Sequence, residues 1–152
     1  MNTEKKQKRY QRFYTQIEGL IEKSSNNPIS NMSTIAAVLH YKIEYFFWTG
    51  FYLLQDGNLQ VGPYQGALAC INLEKDKGVC WAAINQNKTI VVPNVHEFPN
   101  HIACDSRSMS EIVVPIRNEN NEIIGVMDVD SSSLNSFDEV DAQWLEKISA
   151  LI

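Results

Sequence analysis

Apolar residues recur at helical spacing along residues 6–23, where Tyr10, Phe13, Tyr14, Ile17, Leu20 and Ile21 line up as one stripe. Charged residues fill the other faces, so the spacing predicts an amphipathic helix. Residues 24–28 break the pattern, and Ser30 is placed to cap a second helix bearing Met32, Ile35, Ala36, Val38 and Leu39. From Tyr45 the chain turns aromatic and β-branched, and residues 45–54 read as a strand. Asp56-Gly57 is a hairpin turn signal, and residues 59–61 read as the returning strand. Residues 62–66 read as a turn-rich loop that delivers Cys70. Gly78-Val79-Cys80 leads into a short helix over 81–87, followed by a strand over 89–92.

Residues 93–109 are the longest stretch without periodicity, and they carry His96, His101, Cys104 and Asp105. A loop of this length inside a compact domain is usually functional. Strands over 111–117 and 122–130 flank a turn at 118–121. Ser136 and Glu139 form an S-x-x-E capping box that opens a last helix with Val140, Trp144, Leu145, Ile148, Leu151 and Ile152. Helices at both ends of a run of hairpin-linked strands predict an α/β (α+β) fold, with helices packed on a central, mostly antiparallel sheet. The chain shows no repeat, linker or low-complexity tract, so one domain over residues 1–152 is expected.

Composition narrows the function classes. The chain has 152 residues, 44% of them hydrophobic and 20% charged, enough to bury roughly two-thirds of its unfolded surface without disulfides or metal. A net charge of −5 argues against a nucleic-acid partner. The basic cluster of Lys5, Lys6, Lys8, Arg9 and Arg12 reads as a solvated helix face. No stretch is apolar enough for a membrane span and the N-terminus lacks a signal core, so a cytoplasmic protein is expected. The three cysteines are an odd number and do not read as a structural disulfide framework in a reducing compartment.

Cys70, Cys80 and Cys104 contain no close pair such as C-x-x-C, so no metal site is expected. Cys70 has apolar neighbours and can be a packing residue, but Cys104 lies in the polar loop His101-Ile102-Ala103-Cys104-Asp105-Ser106, where a buried small hydrophobe has no reason to sit. A reactive thiol fits better, with His101 and Arg107 as candidate positive charges that would favour the thiolate. Asp128 and Asp130, two residues apart on a strand, point to one face together with Val126, while Met127 and Val129 take the other. Like charges so close repel, and at least one resists ionisation unless a cation lies between them. Glu111, one hairpin away, can bring a third acid beside the Cys104 loop. Trp48, next to Thr49-Gly50, is a candidate wall for a small apolar group, and Phe51, Tyr52 and Tyr64 are assigned to the core.

Several blocks together carry a resemblance. Trp48-Thr49-Gly50-Phe51-Tyr52-Leu53-Leu54, Gly62-Pro63-Tyr64-Gln65-Gly66 with Ala69-Cys70, and Gly78-Val79-Cys80 come first. Val95-His96-Glu97-Phe98-Pro99-Asn100 leads into His101-Ile102-Ala103-Cys104-Asp105, followed by Ser110-Glu111-Ile112-Val113-Val114-Pro115 and Ile124-Gly125-Val126-Met127-Asp128-Val129-Asp130-Ser131. In order and spacing these resemble the free methionine-(R)-sulfoxide reductases from Phe47 to the end. The chain departs from the family pattern at Trp81, where glycine usually follows the G-V-C.

The resemblance implies a GAF fold, with a six-stranded antiparallel sheet flanked by helices and paired as a homodimer. It implies reduction of free L-methionine-(R)-sulfoxide, with the R preference resting on the resemblance alone. Cys104 is then the nucleophile, with Cys70 and Cys80 both open as the thiol that resolves its sulfenic acid. Glu111 is the proton donor, with Asp130 second, and Trp48, Asp128 and Asp130 bind substrate. No bound cofactor is implied, and thioredoxin, fed by NADPH, would clear the disulfide. The substrate's ammonium would relieve the repulsion between Asp128 and Asp130, which a methionine inside a polypeptide cannot do. The alternative is a non-catalytic GAF sensor of a small molecule or of redox state.

Overall fold

The computed structural model describes residues 1–24, 26–101 and 104–152. Ser25 of the break after the first helix, and Ile102 and Ala103 of the His101–Asp105 block, lie outside the described residues. The order is α1 (Thr3–Ile21), α2 (Pro28–Lys42), β1 (Trp48–Gln55), β2 (Asn58–Gln65), β3 (Asn72–Leu73), α3 (Gly78–Gln86), β4 (Ile90–Val92), a 3₁₀ turn (Val95–Glu97), β5 (Ser110–Arg117), β6 (Ile123–Ser131) and α4 (Glu139–Ser149). The strands form one six-stranded sheet in the order β3-β2-β1-β6-β5-β4, and every neighbouring pair is antiparallel. The expected mostly antiparallel sheet with flanking helices is therefore observed. None of the described helices is long and apolar enough to cross a membrane.

Strand alternation splits the apolar residues into two cores. Phe51, Ile112, Val114, Ile116, Met127 and Val129 face α1, α2 and α4, where they meet Tyr10, Ile17, Ile35, Leu39, Leu145 and Ile148. Trp48, Tyr52, Val113 and Val126 face the other side and pack with Val79, Cys80, Trp81 and Ala83 of α3. The predicted parity of residues 126–130 holds, and it directs Asp128 and Asp130 to the α3 side.

Three local expectations are corrected. Asn27, not Ser30, caps α2, because its side chain accepts from the Ile29 and Ser30 amides and Pro28 fits the first helical position. The last helix is capped by Asp138 with Asp141, not by Ser136 with Glu139. Ser136 is held instead by Ser131 at 2.7 Å. Residues 62–66 are not a loop up to Gln65, because β2 continues through Gly62-Pro63 with a register shift opposite Gly50/Tyr52. Glycine and proline are tolerated inside a strand at such an irregularity.

Part of the basic first helix turns inward. Lys6 is buried and pairs with Asp141, whose other oxygen accepts from Tyr10 at 2.6 Å and Tyr45 at 2.7 Å. Arg9 binds the Glu44 carboxylate at 2.8 Å. This network pins α1 to the start of α4. Removing one partner of a buried ion pair strands the other charge, so Asp141→Ala is expected to cost about 3–5 kcal/mol. The urea unfolding midpoint measures it, and a loss below about 1 kcal/mol would mean that the pair contributes no more than a surface one.

Candidate active site

The register of three strands assembles the floor of a cleft. Asp130 on β6 lies between Trp48 on β1 and Glu111 on β5, and one step along Asp128 lies between Gly50 and Val113. Gly50 is required there, since a Cβ would come within 2.6 Å of the Trp48 ring and 2.3 Å of Tyr64. The first turn of α3 forms one wall, and the segments carrying Cys70 and Cys104 form the roof. The cleft encloses about 590 Å³, part of it open to solvent, and is lined by Trp48, Cys80, Cys104, Glu111, Asp128 and Asp130 among others. Six of the seven residues expected at the site therefore line one cleft, and Cys70 joins them through its bond to Cys104.

Cys70 and Cys104 are joined as a disulfide, with Cα atoms 5.4 Å apart. Cys80 is the free cysteine, buried at the start of α3. Burial pushes its thiol pKa well up, and the negative charges of Asp128 and Glu111 push it further. A thiol held protonated is a poor nucleophile. Trp81 does not intrude on the cleft; it is buried among the α3-side core, where its indole N–H donates to the Leu73 carbonyl at 3.3 Å.

The three acids have no ion-pair partner among the described residues. Burial raises the Glu111 pKa well above the usual carboxylate range, and the neighbouring Asp128 and Asp130 add to it. Asp130 is raised by burial and then by Asp128. Asp128 is raised by burial, and hydrogen bonds from Glu111 and Cys80 work in the opposite direction. Glu111 and its neighbours are therefore all pushed toward the protonated form, and the triad titrates as a unit.

Sequence reasoning missed two contributors. Tyr52, assigned to the core, stacks on Trp48 at 5.8 Å and donates its hydroxyl to the Cys70 carbonyl at 3.1 Å. With the Trp48 indole, which donates to the Ala67 carbonyl at 3.0 Å, it ties the Cys70 segment down over the sheet. Its parity with Trp48 and Gly50 on β1 was the available signal. The other is the first turn of α3, where Gly78, Val79 and Cys80 line the cleft and Lys77 gives no side-chain cap. Its free amides and dipole favour an anion. The two cations expected near Cys104 are otherwise engaged. Arg107 binds Asp105 through two nitrogens at 3.0 and 2.7 Å and stacks over Phe47, and burial lowers the His101 pKa, favouring the neutral ring.

An antiparallel sheet in this order, with a cleft between its face and a short helix, defines a GAF domain, and the GAF domain family matches residues 35–152. Within that class the chain belongs to the free methionine-(R)-sulfoxide reductase family. It is 39% identical to the free methionine-R-sulfoxide reductase of Escherichia coli K12, over 80% of this chain and 73% of the relative. It is 47% identical to GAF domain-containing protein A of Dictyostelium discoideum, over 97% of this chain and 92% of the relative. The crystal structure of the free methionine-R-sulfoxide reductase of Neisseria meningitidis in complex with its substrate superposes with a TM-score of 0.88 at 39% identity, covering 93% of this chain and 84% of that one.

The disulfide makes a direct prediction. Alkylation of the oxidised, unfolded protein is expected to label Cys80 alone, with Cys70 and Cys104 recovered in one linked peptide pair by mass spectrometry. A linked Cys80–Cys104 pair as the main species would contradict the geometry.

Proposed function

We propose that residues 1–152 act as one GAF domain that reduces free L-methionine-(R)-sulfoxide to L-methionine. The observation that carries this reading is the Cys70–Cys104 disulfide roofing a cleft with Trp48, the buried Glu111 and Asp128 and the half-buried Asp130 on its floor. In the reduced protein the Cys104 thiolate attacks the sulfoxide sulfur. Glu111 gives its proton to the sulfoxide oxygen, which passes to Cys104 as a sulfenic acid while the methionine sulfur leaves reduced. The Cys70 thiol then attacks the Cys104 sulfur, water departs, and the observed disulfide results. An external dithiol such as thioredoxin, recharged by NADPH, restores both thiols; no bound cofactor is needed for these steps.

Substrate selection follows from the same charges. The ammonium of the free amino acid compensates Asp128 and Asp130, and Trp48 walls the methyl and methylene groups. The first-turn amides of α3 receive the carboxylate. Dependence on a dithiol donor supports a cytoplasmic location, and the family resemblance supports a homodimer.

Turnover is tested by NADPH consumption in a thioredoxin and thioredoxin-reductase coupled assay with the free R epimer, the free S epimer and a blocked peptide sulfoxide. Only the free R epimer is expected to react, with the blocked form about 10⁴-fold poorer in kcat/KM, and Cys104→Ser is expected to be inactive. No turnover by folded wild type with a working donor system would overturn the enzyme and favour the sensor.

The raised Glu111 pKa sets a pH dependence. The donor must be protonated, so kcat is expected to hold at pH below that raised value and fall as pH climbs through it. Glu111→Gln is expected to lower kcat by about 10²–10⁴ and remove this limb. A limb that persists in Glu111→Gln assigns the proton to another group, Asp130 first.

A further inference from the structure

The bottom of the cleft brings the Cys80 thiol, which the reductase reading does not use, together with two carboxyls that it does. Cys80 Sγ, a Glu111 oxygen and an Asp128 oxygen all lie within 4.8 Å of one another. Their residues are only 4%, 6% and 5% exposed. Asp130 stands opposite Glu111 in the sheet and lines the same cleft. Lys77, which also lines the cleft, is bound to Glu74 at 2.9 Å. A separate observation concerns bonding rather than proximity: Asp128 Oδ1 is buried with no hydrogen-bond partner among the described residues.

A buried carboxylate oxygen without a partner calls for a cation or a donor. Magnesium and calcium take oxygen ligands and have no use for a thiolate. Zinc accepts one cysteine sulfur together with carboxylate oxygens at four-coordinate sites, and can keep water in an open position. The geometry points to a reversible binding site for a thiophilic divalent cation such as Zn²⁺, held by Cys80, Glu111 and Asp128 in the place where the substrate's ammonium is received. Coordination releases the thiol proton and the carboxyl proton to solvent. Occupancy would withhold both the proton donor and an ammonium ligand, blocking the enzyme without touching Cys104. The blocking effect rests on the reductase reading; the binding does not.

The oxidised protein isolates the site, because Cys80 is then its free thiol. Cadmium is the probe, since a thiolate bound to it absorbs in the ultraviolet. Wild type is expected to develop this charge-transfer band at one equivalent, and Cys80→Ser is expected to lack it. Glu111→Gln and Asp128→Asn keep the thiol and are expected to weaken Cd²⁺ by at least about tenfold. Zn²⁺, and not Mg²⁺, should displace the cadmium, and excess free methionine should raise its apparent Kd. A band that survives in Cys80→Ser, is unchanged in both carboxamide variants, or yields equally to Mg²⁺ overturns the site. Binding that is indifferent to free methionine overturns the block. A normal cadmium titration from a protein that turns over no sulfoxide overturns the reductase reading and leaves the cation site standing.

Discussion

Three carboxylates share one face of the sheet, and no cation among the described residues pairs with them. Glu111 and Asp130 sit directly opposite each other, Asp128 is one step away, and none has an ion-pair partner among the described residues. Clustering like charges in that way is costly, and burial and mutual repulsion push the carboxyls toward their protonated forms. A proton there and an uncompensated charge beside it are the two things the proposed reduction of a free amino-acid sulfoxide draws on. Gly50, the stacked Trp48 and Tyr52, and the open first turn of α3 all serve to leave space above this row.

The opposite face handles a buried acid quite differently. Asp141 is enclosed as completely as Asp128, yet it receives Lys6, two tyrosine hydroxyls and the Asp138 amide. A fold that satisfies one buried carboxylate this fully has the means to satisfy the others. Leaving Asp128 with an oxygen unpartnered is therefore informative, and it marks the α3 face as the side that waits for a ligand.

Much of this was legible in the residues. Period-2 alternation over Val126–Asp130 placed both aspartates on one face, and the position of Glu111 at the start of the preceding strand, one hairpin away, made it the third acid of the group. Helix starts were less legible, because Ser30 and Ser136 satisfy the same local rules as Asn27 and Asp138. The choice depends on tertiary contacts, such as the Lys6 ion pair that makes Asp141 the better box partner. Gly62-Pro63 signalled a loop because a strand irregularity and a turn use the same residues. The pairing of Cys70 with Cys104 was not legible, since it depends on where two roof segments close over the sheet.

Electrostatics then divides labour among three chemically identical thiols. Cys80, third residue of α3, sits at a helix N-terminus that would ordinarily favour a thiolate. Burial and the charges of Asp128 and Glu111 override that preference and hold it protonated. Cys104 and Cys70 lie on the segments that roof the cleft, and they are the pair that joins. In the proposed reaction the charge cluster that prepares the substrate's proton would thus also keep the Cys80 sulfur out of the exchange, so that a sulfenic acid on Cys104 would meet one competent thiol rather than two.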